Sequence, residues 1–147
     1  METSKTFIEK MCGLLYFLRQ TRNEFELVSE EMDDDHVRMT IRGLAQETNQ
    51  YEQELKSQMQ TLEIKGLSLP GIFNYEELLK SIHTIIYASS IKEILDTCTR
   101  TESFFEKAYR SVLNEYFPYQ CLRDVLIYQL NGLKCTFMKM KLLNSVQ

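Results

Sequence analysis

Chemistry in this chain of 147 residues would have to come from carboxylates, because 21 Asp and Glu residues stand beside only two histidines, His36 and His83, and four cysteines. Cys12, Cys98, Cys121 and Cys135 show no CxxC spacing and no neighbouring histidine, so a zinc site or thioredoxin-like pair is not encoded, and reduced, mostly buried thiols are expected. No Ser, Thr or Cys has a histidine base alongside it, which argues against nucleophilic catalysis, and no glycine-rich phosphate loop is present. The acidic run EEMDDD at residues 30–35 lacks the alternate-residue spacing and the glycine of a calcium loop; it suits the positive N-terminal end of a helix instead. One anomaly is left. In residues 95–109, LDTCTRTESFFEKAY, Glu102 falls where the helical spacing of its neighbours asks for an apolar side chain.

The elements that would position these groups are long helices. Phe7, Met11, Leu14, Leu18, Thr21, Phe25, Val28 and Met32 advance by alternating steps of four and three, as do Val37, Ile41, Leu44, Thr48, Tyr51, Leu55, Gln58 and Leu62. Only Asp33, Asp34, Asp35 and His36 separate the two seams, so the helices are antiparallel neighbours, with Thr21 and Thr48 in one layer. Gly66, Pro70 and Gly71 stop the pattern, and the capping boxes at residues 74–77 and 90–93 open a short helix and a third long one. That third seam runs through Ile91, Leu95, Cys98, Glu102, Phe105, Tyr109, Val112 and Tyr116 to Pro118; a fourth follows through Leu122, Leu126, Gln129, Leu133, Thr136, Met140 and Leu143. The expected helices are 4–32, 35–64, 90–117 and 119–144, within a single domain spanning 1–147.

The connection 65–89, with its short helix, can climb the length of such a bundle, which favours an up-down-down-up order with one long crossover. Leu67, Leu69, Ile72 and Phe73 would cover the second apolar side of the first helix. Composition agrees with an all-α globular domain: 44% hydrophobic and 26% charged residues, with five Gly and two Pro. A net charge of −4 without a basic stripe argues against nucleic acid, and the longest apolar run near the N-terminus is too short to span a bilayer and makes a poor signal peptide. A cytoplasmic location with no membrane association is the expectation.

Each seam therefore carries one polar residue at its middle: Thr21, Thr48, Glu102 and Gln129. Pairing the last two helices by 109 with 126 sets Gln129 opposite Phe105, one turn from Glu102, where the amide and the threonines could hydrogen-bond a buried carboxylate. The other reading turns Glu102 to solvent beside a seam formed by Thr101 and Phe105. Tyr51, Tyr109, Tyr116 and Tyr128 are expected at the core edge with wet hydroxyls, while Phe104 and Phe117, off the seam, hint at a partner surface.

Four helices with one crossover and a polar mid-layer resemble the ferritin-like four-helix-bundle superfamily. More narrowly, residues 38–55 (RMTIRGLAQETNQYEQEL), 98–113 (CTRTESFFEKAYRSVL) and 122–133 (LRDVLIYQLNGL) are similar to an uncharacterised bacterial domain family within it. The superfamily's di-iron members carry a Glu on each of two helices and a Glu-x-x-His on each of the other two. That resemblance would assign Glu24 or Glu26, Glu47, and Glu102 or Glu106 as carboxylates. Gln50 stands where the second helix should offer histidine, however, and the fourth offers Gln129, Leu130, Asn131 and Gly132. The resemblance so read implies a relic without a metal centre or cofactor, acting through protein contacts, with a homodimer or another protein as the partner. Its alternatives are a di-metal carboxylate oxidase or peroxide scavenger with unusual ligands, and a small-molecule binder beside the polar layer.

Overall fold

The computed structural model describes residues 4–64, 76–88 and 90–146, and among them it is all-helical. Its elements are α1 (Lys5–Glu30), α2 (Asp35–Thr61), α3 (Glu76–His83) continued by a 3-10 turn (Thr84–Tyr87), α4 (Ile91–Arg100), α5 (Glu102–Leu113) and α6 (Gln120–Asn144). Side chains cap three of the helix starts, two of them, at Asp34 and Ser90, where the sequence suggests. Ser4 accepts from the Phe7 N–H at 3.1 Å, Asp34 from the Val37 N–H at 2.9 Å and Ser90 from the Glu93 N–H at 3.1 Å. The acidic run thus supplies the cap of α2. The box at residues 74–77 and the covering residues Leu67, Leu69, Ile72 and Phe73 lie wholly or in part outside the described residues.

Four helix pairings build the core, and in each a rising residue number on one helix meets a falling number on the other, so all four are antiparallel. Arg19 and Arg22 of α1 reach Glu52 and Asn49 of α2. Phe7 and Phe17 of α1 meet Phe117 and Phe105, with ring centroids 4.6 and 4.9 Å apart. Glu47 and Glu54 of α2 meet Thr136 and Gln129 of α6. Finally, Asp96 of α4 and Tyr109 of α5 meet Asn144 and Gln129. Helix α3 lies on α1, with Leu78 and Ile82 fully buried and His83 3.6 Å from Glu24.

Two expectations about the third long helix need correction. It ends at Leu113, not 117, and it is interrupted at Thr101. Here the Thr101 N–H donates to the Cys98 carbonyl and the Phe104 N–H to the Thr101 carbonyl, both at 3.0 Å and both three residues back, while the Thr101 hydroxyl also donates to Cys98 O at 2.6 Å. Three residues per turn is tighter than an α-helix. Because α5 ends early, residues 114–119 make a longer link, and α6 pairs about one turn away from the expected register: Gln129 faces Tyr109 instead of Phe105.

Candidate functional site

Of the four polar seam residues, Thr21, Thr48 and Gln129 are completely buried; Glu102 is not. The tightened turn is the cause. It rotates the helix so that Thr101 takes the interior position and Phe105 follows it, while Glu102 emerges at the surface and its carboxylate accepts from the Lys141 ammonium at 2.8 Å. The solvent-facing reading of Glu102 is the one realised. The threonines do not hydrogen-bond any carboxylate: Thr21 donates to Phe17 O and Leu18 O, and Thr48 to Ala45 O, each within its own helix. Such back-bonding satisfies a buried hydroxyl without a partner helix.

Gln129 is instead the centre of a network between α2, α5 and α6. Its Oε1 accepts from the Tyr109 hydroxyl at 2.8 Å, and its Nε2 donates to the Tyr51 carbonyl at 3.2 Å and to Glu54 Oε2 at 3.1 Å. One helical turn along, the Tyr51 hydroxyl donates to Glu47 Oε2 at 2.7 Å, and the Thr136 hydroxyl donates to Glu47 Oε1 at 2.6 Å. Gly132 makes room for this: a Cβ there would lie 2.2 Å from the Tyr51 hydroxyl oxygen.

A second polar cluster escaped the sequence reading. Glu52 is buried between α1 and α2, where its Oε2 accepts from Arg19 at 2.9 Å and Lys56 at 3.1 Å, with Arg22 3.8 Å from Oε1. Arg19 and Arg22, three residues apart on α1 and facing Glu52 and Asn49 on α2, were the available signal. The other carboxylates scatter. Glu24 pairs with His83, Glu26 is exposed, and Glu106 sits on the surface, where Arg110 and then Lys134 hold its carboxyl below the ordinary carboxylate range. Gln50 is exposed and donates to Glu54 at 2.9 Å. Among the described residues no three His, Cys, Asp or Glu side chains converge as a metal-ligand group.

The aromatic expectations are also revised. Tyr109 is fully buried, while Tyr116 and Tyr128 project from the surface. Phe117 is buried against Phe7 with the Arg123 guanidinium 4.4 Å over its ring, and Phe104 is partly buried against the core. Of the thiols, Cys12 and Cys98 are buried but Cys121 and Cys135 are exposed on α6.

Burial pushes the Cys98 thiol up to about 12, and it is the first cause holding the Tyr109 hydroxyl well above its ordinary value of 10, ahead of the charges of Tyr51, Glu47 and Glu54. Tyr51 is likewise raised, by burial first and then by its bond to Glu47. In each case the folded chain keeps a proton that the unfolded chain releases at lower pH. The associated stability is complete below pH ~9 and is lost as pH rises, by up to about 1.4 kcal/mol per pH unit per group. Urea titrations from pH 8 to 12 should therefore show stability falling above pH ~9 and more steeply above pH ~10, with a shallower fall above pH ~10 in a Tyr109→Phe chain. An identical slope in that variant would contradict this account of Tyr109.

No protein-family model, curated protein or solved structure matches the chain. The structure defines a class: among its described residues the protein is all-helical, and no helix there is long and apolar enough to cross a membrane.

Proposed function

We propose that this chain is a ferritin-like four-helix bundle, up-down-down-up with one crossover, that has no metal centre, is not an enzyme and acts through contacts with protein. The four antiparallel pairings support the topology: α2 and the α4–α5 segment are each antiparallel to α1 and to α6. The functional reading is carried by one observation, the occupation of the midsection carboxylates. Glu47 is taken up by Tyr51 and Thr136, and Glu54 by Gln129 and Gln50, with no imidazole beside either. A di-iron or di-manganese centre needs carboxylates and imidazoles that converge with open positions. Here the same volume is closed by neutral donors that satisfy the carboxylates in place.

Metal analysis of protein purified without chelator tests the reading. Iron, manganese and zinc are expected far below one equivalent. About two equivalents that disappear in Glu47→Ala would instead establish a carboxylate oxidase or peroxide scavenger.

A further inference from the structure

The outward face of α6 differs from the outward faces of α1 and α2. On α1 that face carries Asn23, Glu26 and Glu30 with Tyr16 and Leu27 as its exposed large apolar residues, and on α2 it carries Arg42, Gln46, Gln50 and Gln53 with Met39 alone, whereas α6 exposes four. On α6, steps of three and four from Cys121 lead through Asp124, Tyr128, Asn131, Cys135 and Met138 to Leu142, and every one of these residues is exposed. Tyr128, Met138 and Leu142 are 71%, 61% and 63% exposed, with Ile127 beside them at 43%. The buried seam of the helix, Leu122, Leu126, Gln129, Leu133, Phe137 and Met140, lies on the opposite side. A second seam at coiled-coil spacing, turned away from its own core, is the pattern of a helix that meets another helix.

The seam is also self-complementary. Read backwards about Asn131 its positions coincide to within one residue, so two copies related by a two-fold axis would set Cys121 near Leu142 of the partner subunit, Asp124 near Met138 of the partner subunit and Tyr128 near Cys135 of the partner subunit. Charge selects this orientation. Asp124 is the only acidic residue of α6 and stands near its start, whereas Lys134, Lys139 and Lys141 stand in its second half. Lys134 and Lys141 are engaged by Glu106 and Glu102, which leaves Lys139 as the cation that an antiparallel copy brings to Asp124. A parallel copy would place Asp124 on Asp124 and align the two helix dipoles unfavourably.

We infer that α6 is the homotypic interface of this protein, pairing antiparallel with α6 of a second copy about a two-fold axis at Asn131. Self-pairing deepens the reading of the chain as a contact-making bundle and rests on it. Sedimentation of the full chain should show dimers at about 10–100 µM. Asp124→Lys should weaken association at least tenfold, and adding Lys139→Asp to it should restore most of the loss. With Cys121 and Cys135 changed to serine, Asn131→Cys should close a symmetric disulfide on mild oxidation. The native thiols should not bridge like to like: at 1.5 Å per residue each Cys121 lies ~15 Å and each Cys135 ~6 Å from the axis, which separates the symmetry-related pairs by about 30 and 12 Å. A monomer throughout that range, a dimer indifferent to Asp124→Lys, or a Cys121–Cys121 bridge would overturn the pairing. A metal-free monomer removes this interface alone and leaves the seam to a different protein, whereas stoichiometric metal removes the contact-making reading whatever the oligomeric state.

Discussion

Replacing Phe105 by alanine is expected to remove about 3–5 kcal/mol of folding free energy, the largest loss expected of any single substitution considered for this chain. Phe105 is 1% exposed, and its ring joins three helices: it meets Phe17 of α1 nearly edge-on at 4.9 Å and Phe137 of α6 at 5.6 Å. Truncation loses the transfer free energy of the ring and two aromatic contacts, and it leaves a hole walled by helices that other pairings hold apart, so collapse is incomplete. Since a domain of this size has about 5–15 kcal/mol in total, the variant should unfold at least about 10 °C lower. Thermal unfolding followed by circular dichroism checks this, with Tyr128→Ala, at a position 71% exposed, as a control expected within about 0.5 kcal/mol in dilute protein. Equal midpoints for the two variants would mean that the aromatic junction is not what holds α5 in place.

How far the sequence alone reaches is shown by two neighbouring residues. The alternation of four and three assumes 3.5 residues per turn, and over α1 that assumption places every seam residue in the interior, Phe7 through Met32. A straight α-helix has 3.6 residues per turn, so the pattern drifts, and in α2 the interior passes from Leu55 to Met59 instead of Gln58. In α6 it passes from Leu133 to Phe137 instead of Thr136. At Thr101 the deviation has the opposite sign: the turn tightens to three residues, Cys98 is followed by Thr101, and Glu102 is released to Lys141. Spacing could offer both readings of Glu102 but could not choose, because the choice depends on a hydroxyl donating to a carbonyl three residues back. Gln129 was legible as a buried amide. Its partners were not, since they depend on where α5 ends, and no proline or glycine marks Leu113 as that end. Glu52 was missed for another reason: its burial is compensated by Lys56 and by cations that reach in from α1, and the latter cross a helix pairing that single-helix periodicity does not describe.

The two helical glycines of this bundle should respond to alanine with opposite signs. At Gly43, exposed on α2, an added Cβ would meet nothing within 4 Å, so Gly43→Ala gains only helix propensity and should stabilise by up to about 1 kcal/mol. Gly132 has the same propensity to gain, but its Cβ would stand 2.2 Å from the Tyr51 hydroxyl oxygen and 3.3 Å from the ring carbon bearing it. A tyrosine ring cannot fold its tip away as a lysine could. It must swing as a unit, and that breaks its bond to Glu47 while pressing on the α2–α6 contact. Overpacking costs about 1–3 kcal/mol and the lost hydrogen bond about 1, so the net change for Gly132→Ala should be a loss of roughly 1–3 kcal/mol. The clash belongs to one oxygen atom, which makes it separable. Tyr51→Phe alone should cost about 1 kcal/mol, but in that background Gly132→Ala should become nearly neutral, with a coupling of about 1–3 kcal/mol between the two sites. Urea unfolding of the four chains in that cycle measures the coupling directly. Additive effects would show that α6 approaches α2 less closely at Gly132 than the packing of Tyr51 requires.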